Sequence, residues 1–526
     1  YKRQLFILTL DIEVACENGF PDPELAEEEM LCITVKNHAN GEILVWGLQD
    51  YTNDREDVNY FHCRDEKHLL EKFLEFWEYI GPDVITGWNV KFFDIPYICN
   101  RITKILGEEE IQRLSPWSVV HPRMAHMVNR QMLMFDILGV SILDYLDLYK
   151  KYTYTNQESY ALNHIAYVEL GERKHENPHE TFRDWYTNDY QSFVDYNIQD
   201  VELVDRLEDK MKLIELNLTM AYEAKINPQD VFSQVRMWDV IIYDFLREKN
   251  IVVPMKKVSS KHEKYEGAYV KEPQTGLHNW VMSFDLNSLY PHLIMQYNIS
   301  PETMARESNG KVNVERMLHQ EVDIPDDGYT VTPNGARFRI DEQGFLPQLM
   351  EKFYSDRVKF KKWTLEAKQR YEDSKNKKYL NEISKYNNIQ MARKIALNSA
   401  YGAVGNQYFR YYDEKMATAI TTSGQLAIRW IENDVNGYLN RILQTDDKDY
   451  VIASDTDSIY VSFGELVSKS FSEQGDISND RVVSFLATVA EEKLEPFIDE
   501  SYKRLAAYVK PYQQKMVMSR EVIADK

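Results

Sequence analysis

Apolar and polar positions along this chain follow two periods, and each change of period marks a new element. Residues 5–14 (LFILTLDIEV) are apolar almost throughout, broken only by Thr9, Asp11 and Glu13, and read as a buried strand. From Leu31, the stretch LCITVKNHANGEILVWGL holds two apolar runs joined through Asn40-Gly41, the signature of a β-hairpin. Residues 67–80 repeat their apolar positions at helical spacing. Strand and helix patterns then alternate to about residue 210, which predicts an α/β domain. Segments 264–300 and 450–463 return to strand character, and the stretch 348–400 between them is mostly helical and charged. This arrangement predicts a second sheet domain interrupted by a helical element. The chain shows no internal repeat and no low-complexity segment.

Composition narrows the class. A chain of 526 residues is too long for one core, so several domains are expected. Hydrophobic residues at 44% and charged residues at 28% are ordinary for a globular protein. No apolar run reaches bilayer-spanning length, which predicts a soluble protein with no membrane partner. The sequence opens on Tyr1 with no signal-peptide pattern, and something upstream is expected to be missing or removed. The four cysteines (Cys16, Cys32, Cys63, Cys99) form no CxxC pair, so neither a zinc site nor a disulfide framework is expected, and a reducing compartment fits. The net charge of −22 argues at first against nucleic-acid binding. Enzymes that hold metal ions on carboxylates concentrate acid by necessity, however, and distribution matters more than the sum. Residues 351–395 hold 13 Lys/Arg against 6 Asp/Glu. The plain reading of such a run is a solvated helix face.

Two constellations carry chemistry. In the first, Asp11 and Glu13 sit two apart on the opening strand and so share a face. Two acids there are costly unless something neutralises them. Asp94 lies in the apolar segment GWNVKFFDIPYI (87–98), and Tyr196 and Asp200 of YNIQD fall at i and i+4 on one helix face. Singly, each has a commoner reading as a salt-bridged strand edge or a surface helix. Together they suit phosphodiester hydrolysis on two divalent cations.

In the second constellation, YVIASDTDSIYVSF (450–463) places Asp455 and Asp457 at the apex of a hairpin between two apolar strands, where turn chemistry alone is the plainer reading. SFDLNSLYPHLI (283–294) ends a strand at Asp285. It then turns through Ser288, Leu289 and Tyr290 into a helix, and the backbone N–H groups there can hold a triphosphate. Asp285 and Asp457 together could hold two Mg²⁺ ions for nucleotidyl transfer. In RKIALNSAYGAVGNQYFRYYD (393–413), Lys394, Asn398 and Tyr401 fall at i, i+4 and i+7. Lys394 can pair with the triphosphate and Tyr401 can pack near the nascent base pair. At Gly402 a bulky side chain could clash with a base. A plain core helix suits Ile395, Ala396 and Leu397 but not Lys394.

These segments, in order, resemble the three motifs of RNase H-like proofreading exonucleases and motifs A, B and C of family B DNA polymerases, in the forms DLNSLYP, KIALNSAYG and SDTDSIYV. The resemblance to the polymerases of T-even-like bacteriophages runs nearly end to end. It includes GVSILDYLDLYKKYTYTNQ, YEGAYVKEP, NISPET and MVMSREVIA. It implies an RNase H-like 3′→5′ exonuclease domain (1–212), a remnant of an N-terminal domain or linker (213–256), and a palm of antiparallel sheet with helices (257–343 and 407–526). It also implies short helical fingers (344–406). By resemblance, Asp11, Glu13, Asp94 and Asp200 bind metal and Tyr196 orients the attacking water. Asp285, Asp457, Asp455 and Glu521 surround the polymerase metals, two Mg²⁺ per site with Mn²⁺ able to substitute. Tyr290 is the steric gate against ribonucleotides, and Arg357 and Lys394 grip the incoming triphosphate. Primer–template DNA and dNTPs are the implied substrates, in the host-cell cytoplasm of a phage-encoded system.

The match departs at three places. Most of the family's N-terminal domain is absent, and the segment from Arg357 to Lys394 is shorter than in the T-even enzymes. The chain also stops at Lys526, before the family's basic Lys-Lys-Arg-Tyr element, thumb and clamp-binding tail. A split gene, an intein and a fragment each explain this, and the position of the break favours a split or interrupted gene. A separate thumb-bearing polypeptide, a sliding clamp and other replisome proteins are then expected partners. Two other readings stay open: action mainly as a 3′→5′ exonuclease, or a non-catalytic DNA-binding subunit.

Overall fold

The computed structural model describes residues 5–17, 19–126, 131–153, 155–256, 266–471 and 478–525. Tyr1, Tyr154 of the 139–157 segment, Tyr265 of YEGAYVKEP, residues 257–264 and Lys526 lie outside the described residues. Two compact units divide the chain between Phe232 and Ser233.

The first unit is built on the strand foreseen at the start of the chain. It comprises β1 (Ile7–Val14), β2 (Met30–Asn37), β3 (Ile43–Gly47), β4 (Val58–His62), α1 (Glu66–Ile80), β5 (Val84–Thr86) and α2 (Asp94–Ile105). There follow β6 (Val120–His126), β7 (Gln131–Ile137), β8 (Ser141–Ile142), α3 (Tyr145–Tyr152), α4 (Leu162–Leu170), α5 (Phe182–Asn188), α6 (Tyr190–Met211) and α7 (Leu213–Ala224). Six strands pair in the order β4-β3-β2-β1-β5-β8, antiparallel through β1, β2 and β3 and parallel at β3–β4, β1–β5 and β5–β8. In β1, Leu8, Leu10, Ile12 and Val14 enter the core while Asp11 and Glu13 are only partly covered. The hairpin turn between β2 and β3 uses Gly41 at φ 77°, a conformation open to glycine. Helix α1 starts where the Asp65 carboxylate accepts the His68 amide and stops at the left-handed Gly81.

A buried ion pair ties α1 to α2. Arg101 donates through both sides of its guanidinium to Glu66, which also accepts the Met30 amide at 2.9 Å. Arg101 further donates to the carbonyls of Ala26 and Glu27 at 3.0 and 3.1 Å. All three guanidinium nitrogens and both carboxylate oxygens have a partner, so the pair sets the position of α2, whose first residue is Asp94.

The second unit contains α8 (Gln234–Glu248), β9 (Val270–Lys271), β10 (Val281–Leu286), α9 (Leu289–Gln296), α10 (Val314–Leu318), β11 (Tyr329–Val331) and β12 (Arg337–Arg339). It continues with α11 (Phe345–Ser374), α12 (Lys378–Val404), α13 (Glu414–Leu443), β13 (Val451–Asp455), β14 (Ser458–Ser462), α14 (Gly464–Ser470), α15 (Asn479–Val489), α16 (Glu495–Val509) and β15 (Met518–Ala524). A five-stranded antiparallel sheet runs β15-β10-β14-β13-β9. Helices α11 and α12 form the charged helical pair expected between the strand segments. The region 264–300 is less strand-rich than its apolarity suggested: the run LYPHLIMQ is helix α9, buried on nearly every side. A short apolar run buried all round carries no period with which to choose between strand and helix.

Glu66→Ala leaves Arg101 charged and buried among carbonyls. It is expected to destabilise the first unit by about 3–5 kcal/mol, read as a lowered midpoint of its transition in urea denaturation. An unchanged midpoint would remove the pair from the packing of α2.

Candidate active sites

In the first unit, four acids from three elements meet. Ligand oxygens of Asp11, Glu13 and Asp200 lie within 4.8 Å of one another, the one such set of three potential metal ligands among the described residues. Asp94 joins them from the start of α2, its Oδ1 accepting the Ile12 amide at 3.1 Å. Repulsion from neighbouring acids adds to burial at Asp11, Glu13 and Asp94. Burial and then repulsion from Asp94, Asp200 and Glu13 hold Asp11 well above the usual carboxylate range. Glu13 is pushed up to about 8 by burial and by Asp200. Burial raises Asp94 to about 7 against the pull of the Ile12 amide, and Asp200 to about 6 against the pull of Lys174.

Three groups given no role in the sequence reading complete this site. Lys174 pairs with Asp200 and donates to the Tyr196 hydroxyl at 2.8 Å. Burial would lower the Lys174 pKa, but Asp200, Tyr196 and Asp11 more than offset this and raise it. Asn197, fully buried, donates to Asp11 Oδ2 at 2.6 Å and so fixes that carboxylate. Asp144 caps the turn before Asp94 by accepting the Asn89 and Lys91 amides at 3.0 and 3.1 Å. Gly87 lets that turn lie against β1, since a Cβ there would stand 2.4 Å from the Leu10 carbonyl oxygen. Asp200 Oδ1 is buried without a hydrogen-bond partner. Carboxylates that repel one another, with one oxygen orphaned, form a donor set suited to a hard divalent cation. Asp11, Glu13, Asp94, Lys174, Tyr196 and Asp200 line a cavity of about 520 Å³, with Phe20, Trp88 and Phe93 also on its wall. Phe20 is 86% exposed and packs on Phe93 at 5.4 Å between ring centroids.

In the second unit, Asp285, the penultimate residue of β10, lies opposite Ser458 of β14 and Ser519 of β15. Thr456, at φ 55°, turns the hairpin between β13 and β14, and the apex is pinned where the Leu286 amide donates to the Asp457 carbonyl at 2.7 Å. Burial, then Asp457 and Glu521, push Asp285 up to about 6. Burial, Asp455 and Glu521 raise Asp457. Glu521 lies at the irregularity where β15 slips against β10, between Arg520 and Val522, which are opposite Phe284 and Ser283. Asp455 is exposed and accepts the Thr456 hydroxyl.

Around these acids stand the expected nucleotide-binding positions. Ser288 begins α9 at φ 49° and does not cap it with its side chain, so the Leu289 and Tyr290 amides have no helical acceptor. The Leu289 side chain is buried beside Gly424 of α13. Only its backbone could therefore meet a nucleotide. Arg357 of α11 donates to the Ser288 hydroxyl at 3.2 Å, and its Nε is buried without an acceptor. Lys394 is partly buried and forms no ion pair among the described residues, whereas Asn398 is exposed. The Tyr290 and Tyr401 rings pack at 4.6 Å between centroids. The space beside Gly402 holds the Gln234 side chain, whose Oε1 would stand 2.3 Å from a Cβ.

Comparison with known proteins gives this arrangement its family. The model of DNA polymerase family B matches residues 232–495, about half of the chain. The chain belongs to DNA polymerase family B. The model of the family B exonuclease domain matches residues 2–165. The DNA-directed DNA polymerase of Escherichia phage RB69 is 35% identical over 98% of this chain, and that of Enterobacteria phage T4 is 34% identical over 98%. The chain spans 64% of the length of each of these two relatives. The catalytic subunit of DNA polymerase delta from Caenorhabditis elegans is 28% identical over 77% of this chain and 37% of its own length. The mixed α/β fold of two sheet-based units agrees with a family B exonuclease and polymerase pairing. No helix of the described residues is long and apolar enough to cross a membrane.

The raised carboxylates fix the sign of a pH effect. An acid whose folded pKa lies above its unfolded value of about 4 makes folding less favourable as pH climbs through the folded value. The metal-free first unit should therefore lose stability from about pH 5 to about pH 8. Glu13→Gln is expected to raise the metal-free Tm at pH 8, flatten this slope and shrink the Tm gain that Mg²⁺ gives. A scan showing no slope, or the same Mg²⁺ gain in the variant, would contradict the charge cluster.

Proposed function

We propose that this family B chain carries out template-directed DNA synthesis with 3′→5′ proofreading. The observation that carries this reading is one carboxylate centre per unit, each seated on interior strands of its own sheet and each holding acids against mutual repulsion. Mg²⁺ or Mn²⁺ bound on Asp11, Glu13, Asp94 and Asp200, or on Asp285 and Asp457 with Asp455 and Glu521 nearby, would supply Lewis acidity and neutralise phosphate charge. The remaining work falls to the chain's own residues. Tyr196, its hydroxyl held by Lys174, orients a water for attack on the terminal phosphodiester. Asn197 keeps Asp11 in one rotamer. The aromatic wall of Phe20, Trp88 and Phe93 suits the unstacked bases of a frayed 3′ end.

In the second unit, Arg357 and Lys394 offer charge to the triphosphate, and the amides at the start of α9 offer hydrogen bonds. Tyr290 is backed by Tyr401, so its ring can exclude a 2′-hydroxyl sterically. Primer–template DNA, dNTPs and a sliding clamp are the proposed partners, in the cytoplasm of a phage-infected cell.

A second reading, action mainly as a 3′→5′ exonuclease, is favoured by one observation. The compact three-carboxylate set occurs in the first unit alone among the described residues.

Primer extension on primed template separates these readings. Asp457→Ala should abolish dNTP-dependent extension, by at least about 100-fold as expected for loss of a metal-holding acid, and leave 3′ degradation intact. Asp11→Ala with Glu13→Ala should do the reverse. Degradation without extension by the unaltered chain would favour the second reading, and loss of both activities in each variant would overturn the assignment of separate centres. Tyr290→Ala should admit ribonucleotides, and unchanged sugar selectivity would remove it as the gate.

A further inference from the structure

The turn that presents the α9 amides is held by Asn287 and His292 of the same segment and by Tyr354 of α11, none of which carries a role in the sequence reading. Asn287 sits between Asp285 and Ser288, and its backbone amide donates to the Val517 carbonyl at 3.1 Å. Its carbonyl meets His292 Nδ1 in a short contact. A carbonyl oxygen can only accept, so Nδ1 must carry the proton. Burial lowers the His292 pKa, which keeps the ring neutral with Nδ1–H as its donor. The Asn287 side chain reaches the other way, its Nδ2 donating to the Tyr354 hydroxyl of α11 at 2.6 Å. The Tyr354 and His292 rings then meet edge to face, 4.5 Å between centroids at 72°. One turn along the same face of α11, Arg357 donates to the Ser288 hydroxyl.

Three side chains thus close a ring around Asn287: His292 from α9, Tyr354 from α11, and the Asn287 amide between them. His292 is 5% exposed and anchors the ring from inside, while Asn287 is exposed at the surface and Tyr354 is half-buried. Its position is informative. Ser288 is in the left-handed region, costly for a residue with a Cβ and stable only where its neighbours over-determine it. The amides of Leu289 and Tyr290 point where they do only while that turn is kept. Arg357 reaches the same turn from a helix of its own.

We propose that His292 and Tyr354 are positioning residues for the incoming nucleotide. They lock the Asn287 turn to α11, so the α9 amides and the Arg357 guanidinium are presented to the triphosphate at one fixed spacing. The proposal rests on the polymerase reading above and adds to it two residues that touch neither metal nor substrate.

The test is single-nucleotide incorporation across a dNTP titration, with 3′ degradation and Tm measured on the same preparations. Tyr354→Phe keeps the ring contact and loses the acceptor. His292→Leu loses the donor, and His292→Asn restores one, because Asn Nδ2 sits close to the position of His Nδ1. Tyr354→Phe and His292→Leu should each raise KM for dNTP roughly five- to tenfold, the worth of one hydrogen bond. They should leave 3′ degradation unchanged, and His292→Asn should recover most of the loss. Wild-type KM in both variants would overturn the proposal. So would a fall in Tm and in kcat with KM unmoved, which is what a purely structural role produces. If the unaltered chain incorporates no nucleotide, the polymerase reading fails and this inference fails with it. Incorporation by the unaltered chain with unaffected variants defeats the inference alone.

Discussion

Repulsion between desolvated carboxylates is the constraint on which both units turn. A strand with period two places Asp11 and Glu13 on one face, and that face is walled by α2 and α6, each bringing another acid. Burial makes the negative charges more expensive, and proximity makes them more expensive again. The fold tolerates the arrangement because its other contacts are strong. Arg101 and Glu66 fasten α1 to α2, Asp144 caps the turn into α2, and Asn197 and Lys174 each hold one acid. Lys174 supplies positive charge to the cluster, but one cation against four acids leaves the cluster under-neutralised. That imbalance is the physical signature of a site built for divalent ions.

The second unit meets the same constraint with looser geometry. Asp285 and Asp457 are brought together by backbone pairing of β10 with the apex of the β13–β14 hairpin, so their placement does not depend on side-chain neighbours. Asp455 and Glu521 are exposed and can move. Two basic groups of the helical pair in this unit are likewise half-satisfied: Arg357 keeps a buried Nε without an acceptor, and Lys394 forms no ion pair among the described residues. Incomplete pairing of this kind is costly in a resting protein and useful in one that receives an anion.

Much of this was legible in sequence because it follows from periodicity. The alternation in 5–14 finds β1 and puts Asp11 beside Glu13. Spacing of four finds Tyr196 and Asp200 on α6, and paired apolar strands find the turn at Thr456. The family resemblance ordered these pieces along the chain. What stayed hidden lacks a period. Lys174 lies in a segment without regular structure, and only the tertiary fold carries it to Asp200. Asn197 and Asp144 resemble an ordinary helix residue and an ordinary cap. Glu521 is aimed by a register slip that pairing alone reveals. The helix after Ser288 is expected, but the ring around Asn287 depends on packing against α11, which local pattern does not record.

Calorimetric titration with Mn²⁺ tests the central claim, that the two carboxylate clusters are separate divalent-ion centres, most directly. The unaltered chain should show two classes of site. The Asp11→Ala, Glu13→Ala double variant should lose one class, and the Asp285→Ala, Asp457→Ala double variant the other. A titration in which neither pair of substitutions changes Mn²⁺ uptake would contradict the account.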